Sequence, residues 1–143
     1  MQAPHAQIKP TGLITVVVRD GVTMLHGVKP DEIHIVRKRE RGRAEPVPIV
    51  WPEIETALAG LPVGAVRPEL AEFDVPALDN SPVTFRFRDG RLSFPGHPAH
   101  FEAGSRVWQC ALVLRHRLAA RVRDDTGGYL FETPETLAAL EPE

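Results

Sequence analysis

The residues of this chain best equipped to hold a ligand or partner are arginines. Arg37, Lys38, Arg39, Arg41 and Arg43 crowd into the stretch VRKRERGR, broken only by Glu40 and Gly42. At the tip of a glycine-containing loop, such a run can lay several cations along a phosphate backbone, with an affinity that falls steeply with salt. It can equally be a solvated loop whose charge discourages edge pairing. No aromatic side chain interleaves with these cations, so the stacking platforms used in single-strand binding are missing. A second group, Arg86, Arg88 and Arg91, alternates through VTFRFRDGRLSF. Guanidinium groups in this pattern can receive carboxylates through bidentate pairs. The neighbouring acidic stretch from Glu69 to Asp79 could instead fold over them and neutralise them.

The remaining candidates are weaker. His97 and His100 in PGHPAHF, with Glu102 close by and His116 further on, are ligand types suited to zinc or nickel. Spacing fixes no third ligand, so neither a metal nor a cofactor is expected. Ser81, Ser93 and Ser105 sit in no G-x-S-x-G elbow, and no G-x-x-x-x-G-K or G-x-G-x-x-G is present. Cys110 is the only cysteine, which excludes an intrachain disulfide and a cysteine-built zinc site. Asp124 and Asp125 precede Thr126-Gly127-Gly128, the chemistry of a turn rather than of an acid pair.

The elements that position these residues are legible in the pattern. In AGSRVWQCALVLRHRLAA, Val107, Ala111, Leu114 and Leu118 recur at helical spacing, widened by Trp108 and Leu112, which predicts a helix over about 105–119 with Ser105 as N-cap. Val83 to Phe94 predicts a hairpin turned on Asp89-Gly90. Its register sets Phe87 against Leu92, Phe85 against Phe94 and Arg88 against Arg91. LITVVVR, ended by Asp20-Gly21, predicts another hairpin whose first strand lies near the middle of the sheet, and DDTGG predicts a third. Glu32 to Lys38 and the proline-broken Val47 to Trp51 read as a further strand pair, the latter at an edge or leading off the sheet.

Short helices are expected from Pro52 to about Ala59 and over TPETLAALE. Leu61 to Pro82 is expected to wrap over the core, with one helical turn after Pro68. The fold class that follows is α+β: a mixed, mainly antiparallel sheet of several hairpins, the 105–119 helix on one face and two short helices at the periphery.

At 143 residues the chain has the length of one domain, read as a flexible arm over 1–12 and a single domain over 13–143. A net charge of −2 gives no global pull toward nucleic acid or an anionic membrane, so any basic function must be local. Residues 1–12 do not have the form of a secretory leader, and a cytoplasmic location is expected. These observations favour a non-catalytic protein-binding module, such as an immunity, adaptor or regulatory protein of bacterial or phage origin. Polyanion or nucleic-acid binding through the arginine-rich hairpins is the alternative, and a small enzyme without a recognisable motif comes third. No membrane association is expected, and self-association through an edge strand stays open.

Overall fold

A computed structural model describes residues 7–10, 14–19, 22–27, 32–97, 100, 102, 104–125 and 128–140, with side chains from residue 32 onward. Strands β1 (Gln7–Pro10), β2 (Ile14–Arg19) and β3 (Val22–Gly27) form an antiparallel sheet in that order. Arg19 pairs with Val22, the register a two-residue connection demands, although Asp20 and Gly21 themselves lie outside the described residues. The β-branched run Ile14–Arg19 is thus a central strand, but of this small sheet and not of the large one.

The large sheet has seven strands, all antiparallel. They are β4 (Glu32–Val36), β5 (Val66–Arg67), β6 (Glu72–Pro76), β7 (Pro82–Arg88), β8 (Arg91–Pro95), β9 (Arg121–Asp124) and β10 (Tyr129–Leu130), in the order β10-β9-β4-β8-β7-β6-β5. The β7–β8 hairpin has the expected register, with Phe87 opposite Leu92 and Arg88 opposite Arg91. Its turn residues Asp89 and Gly90 both have positive φ, 53° and 76°, as a type I′ turn requires. Between Leu61 and Pro82 the chain does more than wrap: Phe73 and Val75 alternate with Glu72 and Asp74, and β6 joins β7 in the sheet. The single helical turn after Pro68 is a 3₁₀ turn over Pro68–Leu70.

Residues 47–51 correct the expected strand pair. No strand forms there; the chain is irregular through Val50, and helix α1 (Trp51–Ala57) begins directly after it. Pro46 and Pro48 have no N–H to give to a ladder, and both edges of β4 are taken, one by β8 and one by β9.

Helix α2 (Arg106–Arg117) carries the fold. The Ser105 hydroxyl accepts from the Trp108 N–H, and Val107, Cys110, Ala111 and Leu114 are buried against the sheet. Leu112, expected to widen the apolar stripe, is 38% exposed. Its position turns it away from the row that Val107, Ala111, Leu114 and Leu118 form. Ile33 and Ile35, Phe73 and Val75, Phe85 and Leu92, Phe94 and Val122 bring the sheet's inner face to the same core. Phe73 stacks on Phe85 and Phe85 on Phe94, with centroids 4.8 and 4.4 Å apart. Helix α3 (Pro134–Ala138) closes the chain behind a Thr133 cap.

Candidate functional site

Burying one face of the sheet under α2 leaves the other face to the polar residues of the alternation. Register lines them up across all seven strands: Tyr129 beside Arg123, then His34, Ser93, Arg86, Glu72 and Arg67. Arg88 and Arg91 stand as a directly opposed pair on this same face. These side chains are exposed or half-exposed, apart from His34 and Tyr129, which are buried.

Towards β5 the face is internally neutralised. Arg86 meets Glu72 at 3.1 Å and Arg88 meets the same carboxylate at 3.3 Å, while Arg88 also donates to the Leu70 carbonyl at 3.0 Å. Asp74 accepts from Arg67 at 2.7 Å and from the Thr84 hydroxyl at 2.9 Å. The Arg67 hydrogen bond is the main cause holding the Asp74 carboxyl below its ordinary range, and it raises Arg67 in return. Glu72 of the acidic stretch therefore pairs with both Arg86 and Arg88 from the adjacent strand, while Asp74 takes Arg67.

Towards β9 the face is different. His34 Nδ1 lies 2.7 Å from the Ser93 hydroxyl, with Arg123 on one flank and Arg91 on the other. Burial is the main cause that lowers the imidazole pKa, helped by Arg123 and Arg91 and opposed by Glu32 and Asp125. Among the described residues, the side chains of Arg91 and Arg123 make no hydrogen bond or ion pair, and both line a cavity of about 320 Å³ bounded by Pro46, Pro48 and the Asp89-Gly90 turn. A serine hydroxyl on an imidazole is the first half of a nucleophile–base pair. Strand β8, however, is laddered on both edges, to β4 and to β7, which commits the backbone donors beside Ser93.

The Arg37–Arg43 run is spread over several tasks. Arg37 forks onto Glu53 at 2.7 and 3.2 Å and donates to the Leu118 carbonyl and the Val47 carbonyl, both at 2.9 Å. Its hydrogen bond to Glu53 is the leading cause of the lowered pKa there. Arg37 also lines the cavity with Arg91, so one member of each arginine group is brought together. Arg39 donates to the Arg43 carbonyl at 2.9 Å, and Arg41 to the Leu140 carbonyl at 3.2 Å. Gly42, at φ 75°, completes the turn that Arg43 closes onto the Glu40 carbonyl. Lys38 is half-buried.

His97 and His100 lie with ring centroids 5.5 Å apart, and His100 Nδ1 is 2.8 Å from the Pro95 carbonyl. Among the described residues no group of three or more His, Cys, Asp or Glu could hold a metal ion. Burial pushes the Cys110 thiol up to about 12, so it stays a neutral core group at neutral pH.

Sequence reasoning left His34 and Arg123 out of the candidate residues and weighed Ser93 only as a nucleophile. Their signal was a polar residue at every second position of otherwise apolar strands, but only cross-strand register shows that three such positions form one row. Compared with protein-family models, with curated proteins and with solved structures, the chain matches none. Among the described residues no helix is long and apolar enough to cross a membrane.

Proposed function

We propose that the chain is a non-catalytic binding module that docks a protein partner on the polar face of the large sheet. The observation that carries this reading is the row from Arg123 to Arg67, a polar face that runs Arg123, His34, Ser93, Arg86, Glu72, Arg67 across the strands. Charge of both signs in fixed register selects a partner with the complementary pattern, one that sets carboxylates against Arg91 and Arg123.

Polyanion binding is less well supported. Glu72 and Asp74 interrupt the face, and Arg37, Arg39 and Arg41 spend donors on carbonyls of the chain itself. A backbone-tracking groove needs continuous positive charge.

The test is affinity capture from the source cells with the wild-type chain and with an Arg86→Glu/Arg88→Glu double variant. Both side chains are more than half exposed, at 60% and 54%, so their ion pairs add little stability, and a thermal unfolding curve of the variant verifies that it folds. Recovery of one stoichiometric protein by the wild type and its loss from the variant supports the reading. Equal recovery by both, or retention of the wild type on heparin with no protein recovered, defeats it.

A further inference from the structure

We infer that Arg91 and Arg123 form a two-arginine clamp for a single oxyanion, a phosphate or carboxylate group, in the cavity between the Pro46–Pro48 segment and the Asp89-Gly90 turn. Arg123 projects from β9 and Arg91 from β8, with β4 between them. Strands two apart are separated by roughly 10 Å, a span that two arginine side chains can close around one small anion. Both line the same space of about 320 Å³.

Carboxylates are at hand, since Glu45 and Asp89 line the cavity too, yet among the described residues neither forms an ion pair with either arginine. Arg37, on the same wall, already has its fork filled by Glu53. Two half-exposed guanidinium groups that share a cavity repel each other, and an anion between them removes that repulsion while accepting charge-assisted hydrogen bonds. His34 stands next to both and feels their charge, so it reports the event: a bound anion offsets the arginines and makes the imidazole easier to protonate.

The inference does not depend on the docking proposal, because it concerns free anions and the isolated chain. The experiment is an NMR titration of the His34 ring signals with inorganic phosphate and, separately, with acetate, each against sodium chloride at matched ionic strength. A saturable shift, together with a rise in the His34 midpoint, is expected with at least one oxyanion. Arg91→Gln and Arg123→Gln should each weaken it roughly tenfold or more, the loss of one hydrogen bond to a charged group. Tighter phosphate binding identifies a phosphate ligand, and tighter acetate binding a carboxylate. A response no greater than that to chloride, or one unchanged in both variants, overturns the clamp. Amide spectra of the variants verify that they fold.

Discussion

Single side chains on this molecule divide by burial into those that hold the fold and those that face solvent. Glu132 is the clearest of the first kind. Its side chain is fully buried, with one oxygen 2.6 Å from Arg121 and the other 3.0 Å from Arg115, and Arg121 extends the network to Glu40 at 2.9 Å. Removing the carboxylate leaves Arg115 without its carboxylate partner and Arg121 with Glu40 alone, so Glu132→Ala should lower the unfolding free energy by about 3–5 kcal/mol in urea denaturation. A loss no larger than that of a surface pair would refute this role.

His34, buried and held by Ser93, gives the protein a pH response. Its folded pKa lies below the ordinary 6.5, so as pH falls through 6.5 the unfolded chain takes up a proton before the folded chain does. Stability therefore drops as pH falls below 6.5 and levels off once the folded pKa is passed. Asp74 acts in the same direction at lower pH: its lowered pKa stabilises the fold above the ordinary 3.8, and that contribution is lost as pH falls below 3.8 through the folded pKa. Between pH 7.5 and 5, the urea midpoint should slope less in His34→Gln than in the wild type. Parallel curves would exclude His34 as the source.

Elements show the same division in their caps. Helix α2 ends in a Schellman motif: the Ala120 N–H bonds the Arg115 carbonyl at 2.9 Å and the Ala119 N–H bonds the His116 carbonyl at 3.2 Å. The residue in the left-handed position is Ala119, φ 50°, where glycine is the usual occupant. Because a left-handed alanine is strained, Ala119→Gly should raise stability by about 0.5–1 kcal/mol after the added freedom of the unfolded chain is counted. Thermal unfolding measures this, and a lowered midpoint would contradict it. Gly90 makes the converse case. A methyl group there would meet nothing within 4 Å, so the cost of Gly90→Ala, about 1–2 kcal/mol, comes from φ alone. Arg117 adds a cap between elements, donating to the Ala57 and Ala59 carbonyls at the end of α1, at 2.8 and 2.6 Å.

From residue 32 onward the described chain is organised by one antiparallel sheet with two unlike faces. The inner face depends on the Phe73–Phe85–Phe94 stack, in which Phe85 touches both neighbours. Phe85→Ala should cost about 3–5 kcal/mol and lower the chemical denaturation midpoint accordingly; a shift under about 1 kcal/mol would mean that the core collapses around the gap. Both edges of the large sheet, β5 and β10, are two-residue strands, too short to template pairing with another chain. The polar face lies between them.

Local physics placed in the sequence what depends on near neighbours. The 3.6-residue stripe and Ser105 cap defined α2, Asp89-Gly90 set the β7–β8 register and so opposed Arg88 to Arg91, and Thr133-Pro134 started α3. Tertiary structure alone decided what depends on strands from distant parts of the chain. It placed β4 between β8 and β9, which left Val47 to Trp51 no edge to pair with. It spent Arg37 on Glu53 and on carbonyls, and it set Glu72 beside Arg86 and Arg88. The physical reason is that a strand's period of two says which residues share its face but nothing of the neighbour. The row from Arg123 through His34 to Arg67 exists only once the sheet has chosen its order.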